Sequence, residues 1–155
     1  MNPVESIRIG GETVTIIGNA DLLNFHKTGL LCSRKCPADK ILEAYDQFKI
    51  WAIDSPKTIV SGFHSPVEKE CLRLLLKGKA KFIICPAREI ENMRLSNDWK
   101  AALEENRMLI LSPFTEKRAD ARTIDRRNQL VADLADELTI PYATPSGNLE
   151  QFKGV

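Results

Sequence analysis

The chain has 155 residues, of which 43% are hydrophobic and 28% charged, and its net charge is +1. That length and apolar content fit one ordinary globular domain whose core needs neither disulfides nor metals. A charge so close to zero excludes a global field that draws the protein to nucleic acid or to an anionic membrane, so any affinity for phosphate must come from local clusters.

Short apolar runs alternate along the chain with longer helical patterns. Val14-Thr15-Ile16-Ile17 predicts a strand closed by Gly18-Asn19, and Gly29-Leu30-Leu31-Cys32 predicts a second. A helix follows Cys36-Pro37, with Ile41, Tyr45, Phe48 and Ala52 at helical spacing. Lys57-Thr58-Ile59-Val60 is the third strand. The second helix has a clear start: Ser65 as N-cap, Pro66 at the first helical position and Glu68 completing a capping box. Val67, Cys71, Leu74 and Leu75 form its apolar face, and Gly78 ends it. Lys81-Phe82-Ile83-Ile84-Cys85 is the fourth strand, and a third helix runs from Ser96 through Trp99 and Leu103. Met108-Leu109-Ile110-Leu111 is the fifth strand. A fourth helix begins near Thr123 and carries Ile124, Val131, Leu134 and Leu138. Leu138-Thr139-Ile140-Pro141-Tyr142 reads as a sixth strand at an edge, because Pro141 cannot donate to a ladder.

These strands are continuously apolar, as parallel strands covered on both faces are. The pattern predicts an α/β protein, a three-layer α/β/α sandwich around a mostly parallel, Rossmann-like sheet. It reads as one domain over residues 1–155, with a short N-terminal strand extension over residues 1–24. No apolar run is long enough to span a bilayer. The opening Met1-Asn2-Pro3-Val4-Glu5 lacks the basic-then-apolar order of a signal peptide. Cys32 and Cys85 lie in strand-like runs, which suits reduced, buried thiols. The expected setting is the cytoplasm, with no membrane partner.

Ligands of open parallel sheets bind at the carboxyl ends of the strands. Cys32-Ser33-Arg34-Lys35, Ser61-Gly62-Phe63-His64, Ser112-Pro113-Phe114 and Thr144-Pro145-Ser146-Gly147-Asn148 all fall there. N–H groups at helix starts attract anions. Arg34 can grip a phosphate with two parallel hydrogen bonds; with Ser33 and Lys35 it is otherwise a solvated basic turn. Ser61 and Gly62 permit close backbone approach to a ligand, whereas Ser65 and Glu68 already use part of that helix terminus and Glu68 repels an anion. His64 is either a ligand contact or a loop histidine. Asn128 follows Ile124 by one helical turn and so shares the apolar stripe, where a polar amide needs a partner. Either it is a capping or supporting asparagine, or this helix end faces a ligand with Arg126 and Arg127 beside it. The CxxxC spacing of Cys32 and Cys36 is not that of a zinc site, and Cys36 has no base placed beside it by sequence. There is no Walker A motif and no GxGxxG, so no cofactor is implied.

Taken in order, these loops resemble the Rossmann-like domain of the DNA-processing protein A (DprA) family, within the SLOG superfamily. The resemblance rests on Ile17-Gly18-Asn19-Ala20-Asp21-Leu22-Leu23, Leu31-Cys32-Ser33-Arg34, Ile59-Val60-Ser61-Gly62, the Arg126-Arg127-Asn128 helix start with its following apolar run, and Ser146-Gly147-Asn148-Leu149. It implies single-stranded DNA binding in DNA uptake (transformation) or recombination, with loading of a RecA-type recombinase, a basic phosphate pocket and a homodimer. The site it implies comprises Ser33, Arg34, Lys35, Ser61, Gly62, Phe63, His64, Arg126, Arg127, Asn128, Ser146 and Gly147. The chain departs from the family in several places: Cys32 stands for a glycine, Phe63-His64-Ser65-Pro66-Val67 for Ala-Arg-Gly-Ile-Asp, and Gln129 for the second arginine of Arg-Asn-Arg. The alternative is a SLOG-type nucleotide-binding or nucleotide-cleaving, phosphoribohydrolase-like protein. Pro145-Ser146-Gly147-Asn148 stands where that branch has its catalytic Pro-Gly-Gly-x-Gly-Thr-x-x-Glu, which argues against an enzyme but not against nucleotide sensing. A scaffold acting through protein contacts is the third reading.

Overall fold

The computed structural model describes residues 3–53 and 57–153; the Met1-Asn2 end of the signal-peptide reading lies outside them. Strands β1 (Glu5–Ile9) and β2 (Glu12–Gly18) form an antiparallel hairpin with Ile9 opposite Glu12. Its turn is Gly10-Gly11, both at positive φ (57° and 82°). Two such residues match the twist of the flanking strands. The strand extension expected over residues 1–24 thus holds two strands; the sequence resolves only β2 because in β1 just Ile7 and Ile9 show a period, and they are half-buried, while the Gly-Gly pair marks the hairpin.

β3 (Lys27–Leu30), β4 (Thr58–Ser61), β5 (Phe82–Ile84), β6 (Met108–Ser112) and β7 (Glu137–Thr139) complete a seven-stranded sheet in the order β1-β2-β6-β5-β4-β3-β7. From β6 to β7 every pairing is parallel, while β2 meets β6 antiparallel. Helices α1 (Ala38–Ile53), α2 (Pro66–Lys77) and α3 (Asn97–Glu104) connect β3, β4, β5 and β6, stepping one way across the sheet. α4 (Ala121–Leu134) then carries the chain back past β3 to the far edge. Crossovers keep one hand, so reversing direction moves the helix to the other face.

Burial agrees with this layering. Leu30, Ile59, Phe82, Ile84 and Ile110 pack with Phe48, Cys71, Leu75 and Leu103 of α1, α2 and α3. Their neighbours Leu31, Val60, Ile83, Leu109 and Leu111 pack with Val131 of α4. Successive side chains of a strand face opposite ways, so a strand buried on both faces is apolar throughout. The sheet is therefore the three-layer, mostly parallel architecture that the apolar runs suggested.

Several boundaries differ from the sequence reading. β3 starts at Lys27, and Leu31 and Cys32 continue beyond it as extended chain. α4 starts at Ala121, capped by Asp120, whose side chain accepts from Thr123 N; Thr123 is the reciprocal partner rather than the start. Leu138 belongs to β7 and not to the α4 stripe, because α4 ends at Leu134 and Asp136 N bonds to Lys27 O (2.7 Å). Cys32, Cys71 and Cys85 are buried free thiols, and burial pushes Cys32 and Cys85 up to about 12. No helix of the described residues is long and apolar enough to cross a membrane.

Candidate functional site

The strand order turns around at β3: its own connection leads to α1, while β7 arrives beside it from across the sheet. Such a switch point leaves a crevice beyond the carboxyl ends of the strands. A cavity of about 350 Å³ lies there. Its wall is built from Cys32, Ser33 and Arg34 after β3; His64, Ser65 and Glu68 at the start of α2; Ala121, Ile124, Arg127 and Asn128 of α4; and Thr144, Gly147, Asn148 and Leu149 after β7.

Backbone hydrogen bonds hold the two sides of the crevice in register. Leu31 N donates to Thr139 O (3.1 Å) and Ser33 N to Tyr142 O (2.9 Å). Thr144 N donates to Ser33 Oγ (2.9 Å), so the hydroxyl of Ser33 anchors the loop after β7.

Glu68 is the chemical centre of the crevice. The capping box that the sequence predicts is present, but the side chain does more than cap. Its Oε1 accepts from His64 N (2.8 Å) and Ser65 N (3.3 Å), and its Oε2 accepts from Cys32 N (2.8 Å). Glu68 is 4% exposed. Burial pushes its carboxyl up; the N–H donors of His64, Cys32 and Ser65 and the Arg127 guanidinium pull the other way without cancelling it. The amides at the end of β3 and the start of α2, which the sequence reading offered to a ligand, are thus occupied by the protein's own carboxylate.

Arg127 faces Glu68 from α4. Only 3% of it is exposed. Its Nε donates to Asn128 Oδ1 (2.9 Å) and its Nη1 to Cys85 O (3.3 Å). Asn128 therefore finds its partner in its neighbour, and the stripe anomaly seen in the sequence is a support for the guanidinium. Nη2 has no hydrogen-bond partner among the described residues. It is not sealed either, since Thr58 Oγ1 is the one fully buried side-chain oxygen or nitrogen among them that lacks a partner. Burial lowers the Arg127 pKa, with Glu68 and Cys85 opposing; an arginine nonetheless keeps its charge.

Arg34 is exposed on the cavity wall and makes no hydrogen bond or ion pair with the described residues. His64 is half-buried, and burial, Arg127, Lys69 and Arg34 hold its imidazole below the ordinary 6.5. It is neutral at neutral pH.

Of the residues singled out in the sequence, Ser33, Arg34, His64, Arg127, Asn128 and Gly147 meet on this wall. The others lie elsewhere. Lys35 is exposed off the wall. Ser61 is fully buried, its Oγ accepting from Phe63 N (3.0 Å). Phe63, at φ 50°, is a core residue edge-on to Phe82 with ring centroids 6.2 Å apart. Gly62 lies beneath Arg127 in a neighbouring cavity. Arg126 turns away to pair with Glu12 (2.6 Å) and lie over the Phe114 ring. Ser146 donates its N–H to Glu150 Oε2 (2.9 Å). The wall also holds Cys32 and Thr144, which open two of the strand-terminal segments picked out in the sequence, Ile124, which shares the stripe of Asn128, and Ala121, which the sequence did not mark. Among the described residues no group of three His, Cys, Asp or Glu side chains is arranged for a metal.

No protein-family model matches the chain, and no curated protein matches its sequence. Among the solved structures that share its architecture are two DNA-processing proteins. DNA processing protein A from Helicobacter pylori, described for its single-stranded DNA binding mode, superimposes with a TM-score of 0.73 at 18% identity, covering 96% of this chain and 74% of that one. DprA from Streptococcus pneumoniae gives a TM-score of 0.71 at 18% identity, covering 95% of this chain and 56% of that one. The chain thus spans about three quarters of the first neighbour and little more than half of the second. Its fold is that of a DprA-like, Rossmann-type domain.

Proposed function

We propose that the chain binds single-stranded DNA, holding one backbone phosphate in the crevice beyond β3, β4 and β7. One observation carries this reading: two guanidinium groups, exposed Arg34 and buried Arg127, converge on one cavity, and each keeps donors without a protein partner. A guanidinium in a crevice with low-dielectric walls attracts phosphate more strongly than one in open solvent. Asn128 and the neutral His64 add hydrogen-bonding groups around the same space. The likeness to the H. pylori protein supports DNA as the source of that phosphate.

Binding without catalysis fits the wall. Glu68 is its only carboxylate, and both of its oxygens are held by backbone N–H groups; the neutral His64 is the one other base on the wall, and no hydroxyl or thiol among the described residues is hydrogen-bonded to its ring. In this reading the protein serves DNA uptake or recombination in the cytoplasm as a homodimer and hands the strand to a RecA-type recombinase.

Fluorescence anisotropy of a labelled oligothymidylate at low salt tests the proposal, with duplex DNA and nucleoside monophosphates as competitors. The expected result is saturable binding that weakens with salt and resists duplex competitor. Displacement by a monophosphate as readily as by an oligonucleotide would turn the reading toward a free nucleotide, and no binding at low salt would end it.

A further inference from the structure

A second cavity of about 290 Å³ adjoins the first, and His64 and Arg127 form part of the wall of both. Its remaining wall is mainly apolar, with Ile84 and Pro86 from the end of β5, then Met93 and Trp99. Trp99 sits in the first turn of α3, its N–H held by the Ser96 cap (3.4 Å). It is half-buried, whereas Trp51 belongs to the core at 7% exposure. Gly62 lies on the same wall directly against the Arg127 guanidinium, where a side chain would collide with it. The two cavities differ in chemistry: the first carries Ser33, Arg34 and Thr144, and the second offers mostly hydrocarbon, an indole, the shared Arg127 guanidinium and Arg88, whose Nη1 is engaged with Glu89 O (3.0 Å).

We infer that the second cavity is a nucleobase subsite, which takes the base of the nucleotide whose phosphate lies against Arg34. The inference rests on the phosphate reading of the first cavity and adds to it. A nucleotide is charged at one end and a flat, weakly polar plate at the other. Two joined compartments of matching character, with a planar guanidinium between them, complement both ends. Bases stack on aromatic rings and on arginine planes without regard to sequence. The first cavity has no Phe, Tyr or Trp on its wall, so stacking on an indole or phenyl ring has to come from Trp99. The subsite therefore favours any base over none and discriminates little among bases.

The test compares an oligothymidylate with an oligomer of the same length made of abasic sugar-phosphates. The wild type binds the oligothymidylate more tightly, by about tenfold, the scale of one stacked base. W99A erases that preference and W99F largely restores it, while R34A weakens both oligomers alike. Trp99 fluorescence, read in a W51F background, is quenched by the oligothymidylate and not by the abasic strand; this measurement needs no change at Trp99. Equal binding of the two oligomers by the wild type, or absence of quenching, overturns the inference. If R34A weakens both while W99A changes nothing in a protein that melts normally, the base subsite falls and the phosphate site stands. If neither oligomer binds, both fall.

Discussion

Gly62 lies so close beneath Arg127 that a Cβ there would stand 2.1 Å from Nη1 and 2.3 Å from Cζ of the guanidinium. The loop after β4 and the middle of α4 therefore meet through a bare backbone and a flat cation. G62A must displace the arginine or the loop, a strain of about 1–3 kcal/mol. At roughly 2–4 °C per kcal/mol for a chain of this size, thermal melts will show it. Oligonucleotide affinity falls with it, because Arg127 is moved. An unchanged melting temperature and affinity would mean that the guanidinium has room to spare.

Glu68 serves as an acceptor for three backbone N–H groups and a counter-charge for Arg127. E68A strips three N–H donors of their acceptor and removes the negative charge near Arg127, at about 1–3 kcal/mol for each buried group left unsatisfied. E68Q keeps the shape and one carbonyl oxygen but removes the negative charge. It should be less stable than the wild type in urea, yet bind an oligonucleotide more tightly, since a repelling charge has left the cavity wall. Weaker binding by a folded E68Q would show that the carboxylate organises the site more than it opposes an anion.

His64 sets a pH dependence. In the free protein its pKa lies below 6.5, owing to burial and to Arg127, Lys69 and Arg34. The folded chain thus prefers the neutral ring, and this contribution to stability is full above pH 6.5 and lost as pH falls from there toward the lower folded value. A phosphate beside the ring favours the imidazolium, so affinity should rise as pH falls below 6.5. Protonation of Glu68 acts in the same direction, so the histidine's share is the part of the rise that H64Q removes. Titrating affinity against pH for wild type and H64Q gives the answer, and identical slopes would exclude the histidine.

Arg107 provides a control at the opposite end of the sheet. Just before β6, its Nη1 donates to Leu75 O and Ala80 O (both 3.0 Å) and its Nη2 to Leu76 O (3.0 Å), closing the carboxyl end of α2. R107M should cost about 1.5–3 kcal/mol in urea unfolding, as hydrogen bonds to charged groups do. Oligonucleotide affinity should stay the same. A loss of affinity in the folded variant would mean that α2 transmits strain to the crevice.

The fold was legible because its strands are buried on both faces. Runs such as Phe82-Ile83-Ile84 are short and rich in aromatic and β-branched residues, which favours strand over helix, and Ser65-Pro66 with Glu68 marks a helix start by local chemistry alone. What remained hidden depends on contacts between distant segments. The sequence shows that Glu68 caps α2; it does not show that Oε2 reaches Cys32 N, 36 residues away. Adjacent Arg126 and Arg127 read alike in the chain, yet the helical turn between them sends one to Glu12 at the surface and the other onto Gly62. Position after a strand brought Ser33, Arg34, His64 and Gly147 to one wall, but the same rule also nominated Ser61 and Phe63, which the core had already claimed.

An amide chemical-shift titration of the ¹⁵N-labelled chain with a short oligothymidylate tests the phosphate crevice most directly. The account predicts saturable shifts concentrated at Ser33, Arg34, His64, Arg127, Asn128 and Gly147, with the β1–β2 hairpin unmoved. Shifts gathered on that hairpin or along α1, with the crevice silent, would contradict it.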